Sequence, residues 1–361
     1  MSILIFIGLL VLLILVHELG HFSVAKFFNI RVDEFGIFFP PKLASVKRGE
    51  TTYSLNWLPF GGFVKIFGEN ADEGKNDRRS FINKPRSVQA LVLVAGIVMN
   101  LLIAWLMLSL GYMAGLPTPA AHTGFGEVQG VETLIITVLP NSPAAQSGVV
   151  AEDVIAGVAT GKEVLEAPIT AERVQVFINE HEDESILLTA TRGEEEKMFV
   201  IRPAAGFVED QKVIGVSMDD VGVLQLPPHT ALLQGGILTY RLTTATAVGL
   251  TTFFANLVQG AANFSDVAGP IGIVNLGGSA VEEGFIAALL LTAIISINLA
   301  LINLLPIPGL DGGRLLIVGI ESVFRRSVSP RLTLGLTALG FAFLIGLMIL
   351  VSYHDITRLI G

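Results

Sequence analysis

Two histidines and a glutamate lie close together in the sequence HELGH at residues 17–21. If this segment is helical, His17 and His21 are four residues apart and their side chains share one face of the helix. Two imidazoles on one face can bind one metal ion, and Glu18 beside them can act on a water without binding the metal. The HExxH pattern is typical of hydrolytic zinc sites, in which zinc lowers the pKa of a water and the carboxylate takes its proton. The sequence therefore predicts His17 and His21 as zinc ligands and Glu18 as the catalytic base.

A hydrolytic zinc site needs three protein ligands and one open position, so a third ligand must come from elsewhere in the chain. The chain contains no cysteine, which excludes thiolate ligands. Asp311 is a lone carboxylate at the end of an apolar stretch, framed by the prolines and glycines of PIPGLDGG at residues 306–313. We predict Asp311 as the third ligand, and a helix-capping aspartate is the alternative. The remaining histidines are expected to be surface residues: His122, His181, His229 and His354.

The composition is that of a membrane protein. Of the 361 residues, 52% are hydrophobic and 15% are charged, with a mean hydropathy of +0.67, whereas soluble domains carry about 25% charged residues. Four apolar stretches reach the length of about 20 residues that a helix needs to cross a bilayer. These four predicted transmembrane helices are at 3–28, 88–115, 285–305 and 332–353. The HELGH residues lie in the first, where each ionisable side chain costs about 2–3 kcal/mol at the bilayer centre.

Charge is distributed unevenly along the chain. Residues 26–87 contain 11 Lys and Arg against 7 Asp and Glu, whereas residues 116–230 contain 6 against 18. Because basic segments stay in the cytoplasm, we predict that 26–87 and the loop 314–331 are cytoplasmic and that the acidic segment and both termini lie outside. In this topology His17 and Asp311 reach a similar depth, towards the cytoplasmic side of the membrane.

The segments between the spans are predicted to form further structure. Residues 51–57 and 62–67 favour β-strands, so 29–87 is predicted to contain a small β-hairpin at the cytoplasmic membrane face. Its free edge would accept an extended peptide, and a solvated linker hairpin is the alternative. Residues 229–284 are less apolar than the spans and are predicted to form helices and a loop on the outer membrane surface.

The acidic segment 116–228 alternates strand-like runs with one helical run. The predicted strands are at 134–139, 186–191 and 198–201, and the predicted helix is at 171–179. The sequence LPNSPAAQSGVV at 139–150, followed by Asp153 and Ile155, resembles the strand–turn–short-helix signature of PDZ domains, although Glu152 stands where glycine is usual. This resemblance implies an α+β PDZ domain that either binds an extended peptide or a C-terminus, or acts as a spacer or size filter.

Five motifs follow one another along nearly the whole chain. They are HELGH at 17–21, PFGGFVKIFGE at 59–69, the PDZ-like signature, GPIGI at 269–273 and SINLALINLLPIPGLDGG at 296–313. Together they resemble the bacterial site-2 protease family, the RseP-type zinc intramembrane metalloproteases, in a form with a single PDZ domain. The expected fold is therefore a polytopic α-helical membrane protein with four transmembrane helices, a small β element and one extracytoplasmic PDZ domain. The resulting segments are 1–28, 29–87, 88–115, 116–228, 229–284, 285–313, 314–331 and 332–361.

The resemblance implies a bacterial inner-membrane enzyme that cleaves transmembrane segments of other proteins, with one zinc ion on His17, His21 and Asp311. The expected substrates are single-span membrane proteins that another protease has already cut, such as anti-sigma factors, or remnant signal peptides. Membrane lipids are the other expected partners, and nucleic acid is not expected. The strand expected to pair with substrate contains Gly62, Phe63, Val64, Lys65 and Ile66. Asn298 and Asn303 are expected to assist substrate binding or to stabilise the oxyanion, with inter-helix hydrogen bonding as the alternative.

Two other functions fit parts of the sequence. A membrane zinc protease that acts on soluble or misfolded proteins at the bilayer surface would share the HExxH motif, and a glutamate as third ligand would favour it. A non-enzymatic PDZ scaffold would require neither the HExxH residues nor Asp311. Stoichiometric zinc in the purified protein distinguishes the scaffold from the two enzymes.

Overall fold

The computed structural model describes residues 1–69, 76–193, 195–208, 211–261, 269–326 and 328–360, which fall into two compact units. The first unit comprises Met1–Gly111 and Ala231–Gly361, and the second comprises Tyr112–Thr230. The helices are α1 Ser2–Phe27, α2 Arg86–Ala114, α3 Pro143–Ser147, α4 Ala171–Glu180, α5 Pro228–Val258, α6 Pro270–Glu283, α7 Phe285–Leu304, α8 Asp311–Phe324 and α9 Pro330–Ile360. The strands are β1 Val32–Arg48, β2 Thr51–Ile66, β3 Leu116–Pro119, β4 Gln129–Val138, β5 Val154–Ala159, β6 Ile186–Arg192, β7 Glu195–Ile201, β8 Ala204–Val208, β9 Gln211–Val213 and β10 Val216–Leu224.

Four helices are long and apolar enough to cross a membrane. They are α1, α2, α7 and the part of α9 over Arg331–Thr357. A helix satisfies its backbone hydrogen bonds within itself, which is what a chain in hydrocarbon requires. The prediction of four apolar helices is therefore confirmed. The ends of α1, α2 and α7 differ from the predicted ones by at most two residues, whereas α9 continues to Ile360, seven residues beyond the predicted end.

The β element that follows α1 is larger than the small hairpin predicted. Strands β1 and β2 are long enough to bend, so that 32–37 pairs with 62–66 on one side and 34–37 pairs with 52–55 on the other. Residues 42–48 then pair with 51–56, which gives four strand segments side by side. Segment 62–66, predicted to contact substrate, forms one edge of this sheet.

Helix α6 packs against both α1 and α9, the first and last helices of the first unit. Gly277 faces Phe6 of α1 so closely that a Cβ at this position would lie 2.2 Å from the ring, so only glycine fits without a shift. At the start of α6, Asp355 of α9 accepts hydrogen bonds from the backbone N–H groups of Gly269 at 3.1 Å and Gly272 at 2.9 Å. The carboxylate thus satisfies two of the free amides of the first turn, and the GPIGI motif forms a helix start that α9 holds in place.

The segment 229–284 contains most of α5 and all of α6, and its residues 262–268 lie outside the described residues. Helix α5 is a single helix of 31 residues. Its N-terminal part packs on α2, where Trp105 donates its indole N–H to the carbonyl of Leu232 at 2.8 Å and Ser109 lies against Gly235. The location of this segment on the membrane surface stays a prediction.

The second unit is built on a six-stranded antiparallel sheet with the order β3-β10-β4-β5-β6-β7. Helix α4 and strands β6 and β7 include the elements predicted from hydrophobic patterning, and β4 covers all but the last residue of the strand predicted at 134–139. The short helix α3 is capped at its start by Ser142, whose side chain accepts from the N–H of Ala145, and ends at Gly148 with φ 91°. Glu152, which stands where glycine is usual, also has a positive φ of 72°, so the backbone keeps the left-handed conformation without the glycine.

An ion pair between the buried Asp153 and the partly exposed Arg192 joins the loop before β5 to the end of β6. The side chain of Asp153 is 0% exposed and accepts hydrogen bonds from Arg192 at 2.6 and 2.8 Å and from the N–H of Val150 at 3.0 Å. Burial alone would raise the pKa of the Asp153 carboxyl, but the Arg192 and Val150 hydrogen bonds outweigh it and lower the pKa below its ordinary value. A carboxyl whose pKa is lower in the folded state stabilises the fold above its unfolded pKa, and this contribution is lost as the pH falls through the folded pKa.

The second unit is therefore expected to lose stability as the pH falls below about 4, the ordinary pKa of an aspartate. Asp153→Asn should remove this part of the pH dependence and cost about 1.5–3 kcal/mol at pH 7, because a charge-assisted buried hydrogen-bond set is lost. Calorimetry of the full-length protein in detergent at several pH values measures both effects. The control is Asp183→Asn, which removes an exposed pair with Lys212 and should cost clearly less, because water screens that pair. Equal losses in the two variants would contradict this account.

Candidate metal centre

The structure brings His17, His21 and Asp311 together at one point. The two histidines lie on the buried face of α1, with their Nε2 atoms 3.1 Å apart. Asp311 Oδ2 lies 3.1 Å from His17 Nε2 and 3.2 Å from His21 Nε2. Ligand atoms at about 2.0–2.1 Å from a tetrahedral zinc ion are about 3.3 Å from one another. The three distances between the ligand atoms therefore fit one zinc ion. The described residues contain no other cluster of three His, Asp or Glu side chains with this geometry.

Asp311 reaches the histidines because the chain turns sharply after α7. Helix α7 ends at Leu304, and Gly309 has φ 105°, a conformation that favours glycine. A Cβ at Gly312 or Gly313 would lie 2.2 Å from a backbone carbonyl oxygen, so the turn closes only with glycine at these two positions. The helix-capping alternative for Asp311 is not observed, because Leu310 is the N-cap of α8 and the Asp311 carboxylate contacts the two imidazoles.

Two glycines allow α1 and α2 to approach each other at the metal centre. A Cβ at Gly20 of α1 would lie 2.5 Å from the carbonyl oxygen of Ala95. A Cβ at Gly96 of α2 would lie 2.5 Å from His21 Nε2 and 2.7 Å from His17 Cε1. Gly96 therefore leaves the space that the two imidazole rings occupy. The apolar run of residues 88–115 contains no signal that would have predicted this role for Gly96.

Glu18 lies next to the ligands but contributes no atom to the group of ligand atoms. Its carboxylate is beside the backbone N–H of Val64, and its Cγ would lie 3.8 Å from a Cβ built on Gly62. The predicted base and the predicted substrate-binding edge of the sheet, segment 62–66, are therefore neighbours. This is the position that a group needs to exchange protons with a peptide bond held at that edge.

Asn298 and Asn303 are both half-buried on α7. At 100° per residue, Asn303 lies about 20° around the helix from Ser296, whose hydroxyl donates to the carbonyl of Asn100 in α2 at 2.8 Å. Asn298 is about 160° away from Ser296. Asn303 therefore shares the face of α7 that packs on α2, and Asn298 does not. Their roles towards substrate stay predictions.

An ion pair ties the sheet to the helix that carries Asp311. Arg314 of α8 pairs with the carboxylate of Glu69, and its Nη2 also donates to the carbonyl of Glu69 at 3.2 Å. Glu69 follows the edge segment 62–66 by three residues. The pair therefore limits how far the sheet edge and the third metal ligand move apart.

Gly96→Ala is expected to displace the imidazoles, because the added methyl group would overlap His21 Nε2 and His17 Cε1. Zinc affinity should fall about tenfold or more, a loss of the size seen when the orientation of ligands is disturbed. Chelator competition on the purified protein measures the affinity. Gly8→Ala on α1 is the matched control, since a Cβ there meets nothing within 4 Å, and its zinc affinity should be unchanged. Full zinc affinity in Gly96→Ala would show that the rings do not need this space.

Comparison with known proteins agrees with the geometry of the centre. The sequence matches the family model described as Peptidase family M50 over residues 5–347. A protein of Clostridium perfringens, provisionally named a zinc metalloprotease, is 34% identical over 355 residues that cover 95% of each chain. A protein of Nostoc sp. with the same provisional name is 31% identical over 99% of this chain and 97% of the relative. The zinc metalloprotease RasP of Oceanobacillus iheyensis is 27% identical over 98% of each chain.

The match covers α2 and α7 in full, most of α1 and the first part of α9, and it includes the HExxH motif and Asp311, whose ligand atoms meet at distances that fit zinc. The chain belongs to Peptidase family M50, the site-2 protease family, and is a zinc metalloendopeptidase.

Proposed function

We propose that this protease cleaves transmembrane segments of other membrane proteins, in the half of the bacterial cytoplasmic membrane that faces the cytoplasm. The observation that carries this proposal is the burial of the metal-binding histidines within an apolar helix. His17 and His21 are 8% and 7% exposed, and His17 is about 22 Å from the first residue of α1 at the helical rise. That distance corresponds to the inner part of a hydrocarbon core of about 30 Å when α1 begins at the outer surface.

The free edge of the sheet supports docking of an extended substrate. Segment 62–66 pairs with 32–37 on one side, and within the described residues no strand pairs with its other side. An unpaired edge offers backbone N–H and C=O groups to a peptide that adds as a further strand. Because Gly62 and Val64 lie next to Glu18, a peptide on this edge would present its backbone to the catalytic base. A substrate helix must therefore unwind locally before it is cut.

The chemistry follows from the groups around this edge. Zinc, when bound by His17, His21 and Asp311, polarises a carbonyl and lowers the pKa of water. Glu18 takes the proton of the attacking water and then delivers it to the nitrogen of the leaving amine. Asn303, on the face of α7 that packs on α2, is proposed to hold the substrate carbonyl or its oxyanion. The edge segment 62–66 is thus proposed to bind the substrate, and Glu18 and the metal ligands to carry out proton transfer and hydrolysis.

The acidic second unit is proposed to be a PDZ domain outside the cytoplasm. Its 6 Lys and Arg against 18 Asp and Glu over 116–230 favour translocation. The capped helix α3 follows β4 as the PDZ signature requires, and α4 begins beside β10, where Asp220 accepts from the N–H of Ala171 at 2.9 Å. Residues 216–219 of β10 pair with β4 alone within the described part of the chain. This open edge supports capture of an extended peptide or a C-terminus.

Substrates of the proposed reaction are single-span membrane proteins shortened beforehand by another protease, or remnant signal peptides. A shortened outer segment leaves a stub whose span can reach a site within the bilayer. Membrane lipids surround the enzyme, and nucleic acid is not a partner.

Glu18→Gln should retain stoichiometric zinc and slow cleavage by about 10²–10⁴-fold, because the amide cannot take a proton from water. Membrane proteomics of cells that express this variant should reveal accumulated membrane stubs, and metal analysis of the purified variant checks the zinc. Glu282→Gln, which alters an exposed carboxylate that pairs with Ser2 at the other end of α1, is the control and should cleave normally. Full cleavage by Glu18→Gln would overturn the mechanism. Accumulation of intact soluble or misfolded proteins without membrane stubs would instead favour proteolysis at the bilayer surface.

A further inference from the structure

Each histidine of the metal centre has a second ring nitrogen that also needs a partner. The Nε2 atoms of His17 and His21 both face Asp311 Oδ2 within 3.2 Å. A neutral imidazole that binds a metal through Nε2 carries its proton on Nδ1, and this N–H is normally hydrogen-bonded to an acceptor that fixes the ring. The hydrogen-bond partners of the two Nδ1 atoms are therefore the groups that orient the metal ligands.

For His21 the acceptor belongs to the backbone. Its Nδ1 lies 2.8 Å from the carbonyl oxygen of Val92 in α2, and both groups are buried. A carbonyl oxygen can only accept, so the proton of His21 is on Nδ1 and its Nε2 is free to bind zinc. This half of the centre agrees with the expected arrangement.

For His17 the only hydrogen-bonding neighbour of Nδ1 within the described residues is the side-chain amide of Asn100, also in α2. Nδ2 of this amide lies 3.4 Å from His17 Nδ1, and its Oδ1 is buried without a hydrogen-bond partner. Two N–H donors would face each other in this arrangement once His17 carries its proton on Nδ1. A half-turn of the amide exchanges its nitrogen and oxygen, which have nearly the same size. It turns the mismatch into a hydrogen bond and gives Oδ1 a partner.

We propose that Asn100 is a positioning residue for the zinc site, whose side-chain carbonyl accepts the hydrogen bond from His17 Nδ1 and so holds Nε2 towards the metal. Asn100 is 0% exposed, so bulk solvent does not reach its amide. It follows Gly96 by one helical turn and lies on the same face of α2. Gly96, on one turn of α2, therefore leaves space for the two imidazole rings, and Asn100, on the next turn, fixes the orientation of the His17 ring.

The fold holds Asn100 in place through its backbone. Its carbonyl accepts from the hydroxyl of Ser296 in α7 at 2.8 Å, which is a contact separate from the side-chain contact with His17. The two roles of this residue, packing of α2 on α7 and orientation of the ligand, can therefore be tested separately.

The test compares three variants of the full-length protein in detergent, with zinc affinity from chelator competition as the readout. Asn100→Leu keeps the size of the side chain and removes the acceptor, and we expect zinc affinity to fall about 10- to 100-fold. Asn100→Asp keeps an acceptor and, when ionised, has no proton to donate, so its zinc affinity should stay close to that of the wild type. Ser296→Ala removes the contact with α7 and leaves the side chain of Asn100 intact, so its zinc affinity should not change.

Thermal unfolding of the zinc-free proteins separates ligand orientation from folding. The proposal is supported when Asn100→Leu unfolds near the wild-type temperature but binds zinc weakly, and when Asn100→Asp binds zinc about as tightly as the wild type. It is overturned when Asn100→Leu binds zinc as the wild type does, or when Ser296→Ala loses as much affinity as Asn100→Leu. If Asn100→Leu fails to fold, Asn100→Asp decides alone, because an aspartate that binds zinc poorly would mean that the amide donates rather than accepts.

Discussion

Three ligand atoms from two distant parts of the chain have to meet within about 3.2 Å, among helices that are otherwise apolar. Two imidazoles and a carboxylate are costly to bury unless they bind a metal or one another. The backbone around them is shaped by this requirement. Gly20 and Gly96 let α1 and α2 approach closely, and Gly312 and Gly313 let the chain fold back after α7. Substitution at any of these glycines would separate elements that the zinc ligands hold together.

The same requirement explains how the sheet is attached. Segment 62–66 must stay beside Glu18 if a peptide on its edge is to reach the base. The sheet is held from two directions, by its core contacts with α1, α2 and α8 and by the pair between Arg314 and Glu69. The core includes Ala25 of α1, Ile66 of β2 and Val318 of α8. The proposed docking edge and the metal ligands are therefore parts of one packed unit, whereas the acidic second unit has a separate hydrophobic core.

Much of this site could be predicted from the sequence because its chemistry is unusual for its setting. The HExxH spacing defines one face of a helix, and a lone aspartate between glycines after an apolar span has few structural explanations. The four apolar helices follow from hydropathy alone. The size of the sheet could not be predicted, because β1 and β2 each pair with two partners after a bend that local strand preference does not encode.

Asn100 and Gly96 were missed for a different reason. An asparagine within the apolar run of α2 is itself a signal, since polar side chains inside membranes usually face a functional group. Its partner, however, is 83 residues away in sequence and becomes apparent only when α2 packs against α1. Gly96 carries no chemical signal, because its role is the space that a side chain would take from the imidazoles.

The most direct test of this account is the position of the cut bond in a substrate. The full-length enzyme and a single-span protein with a short outer segment would be reconstituted together in lipid vesicles, and the products would be mapped by mass spectrometry. The account predicts new termini inside the hydrophobic span, in its cytoplasmic half. Cleavage confined to the soluble segments outside the span would contradict it.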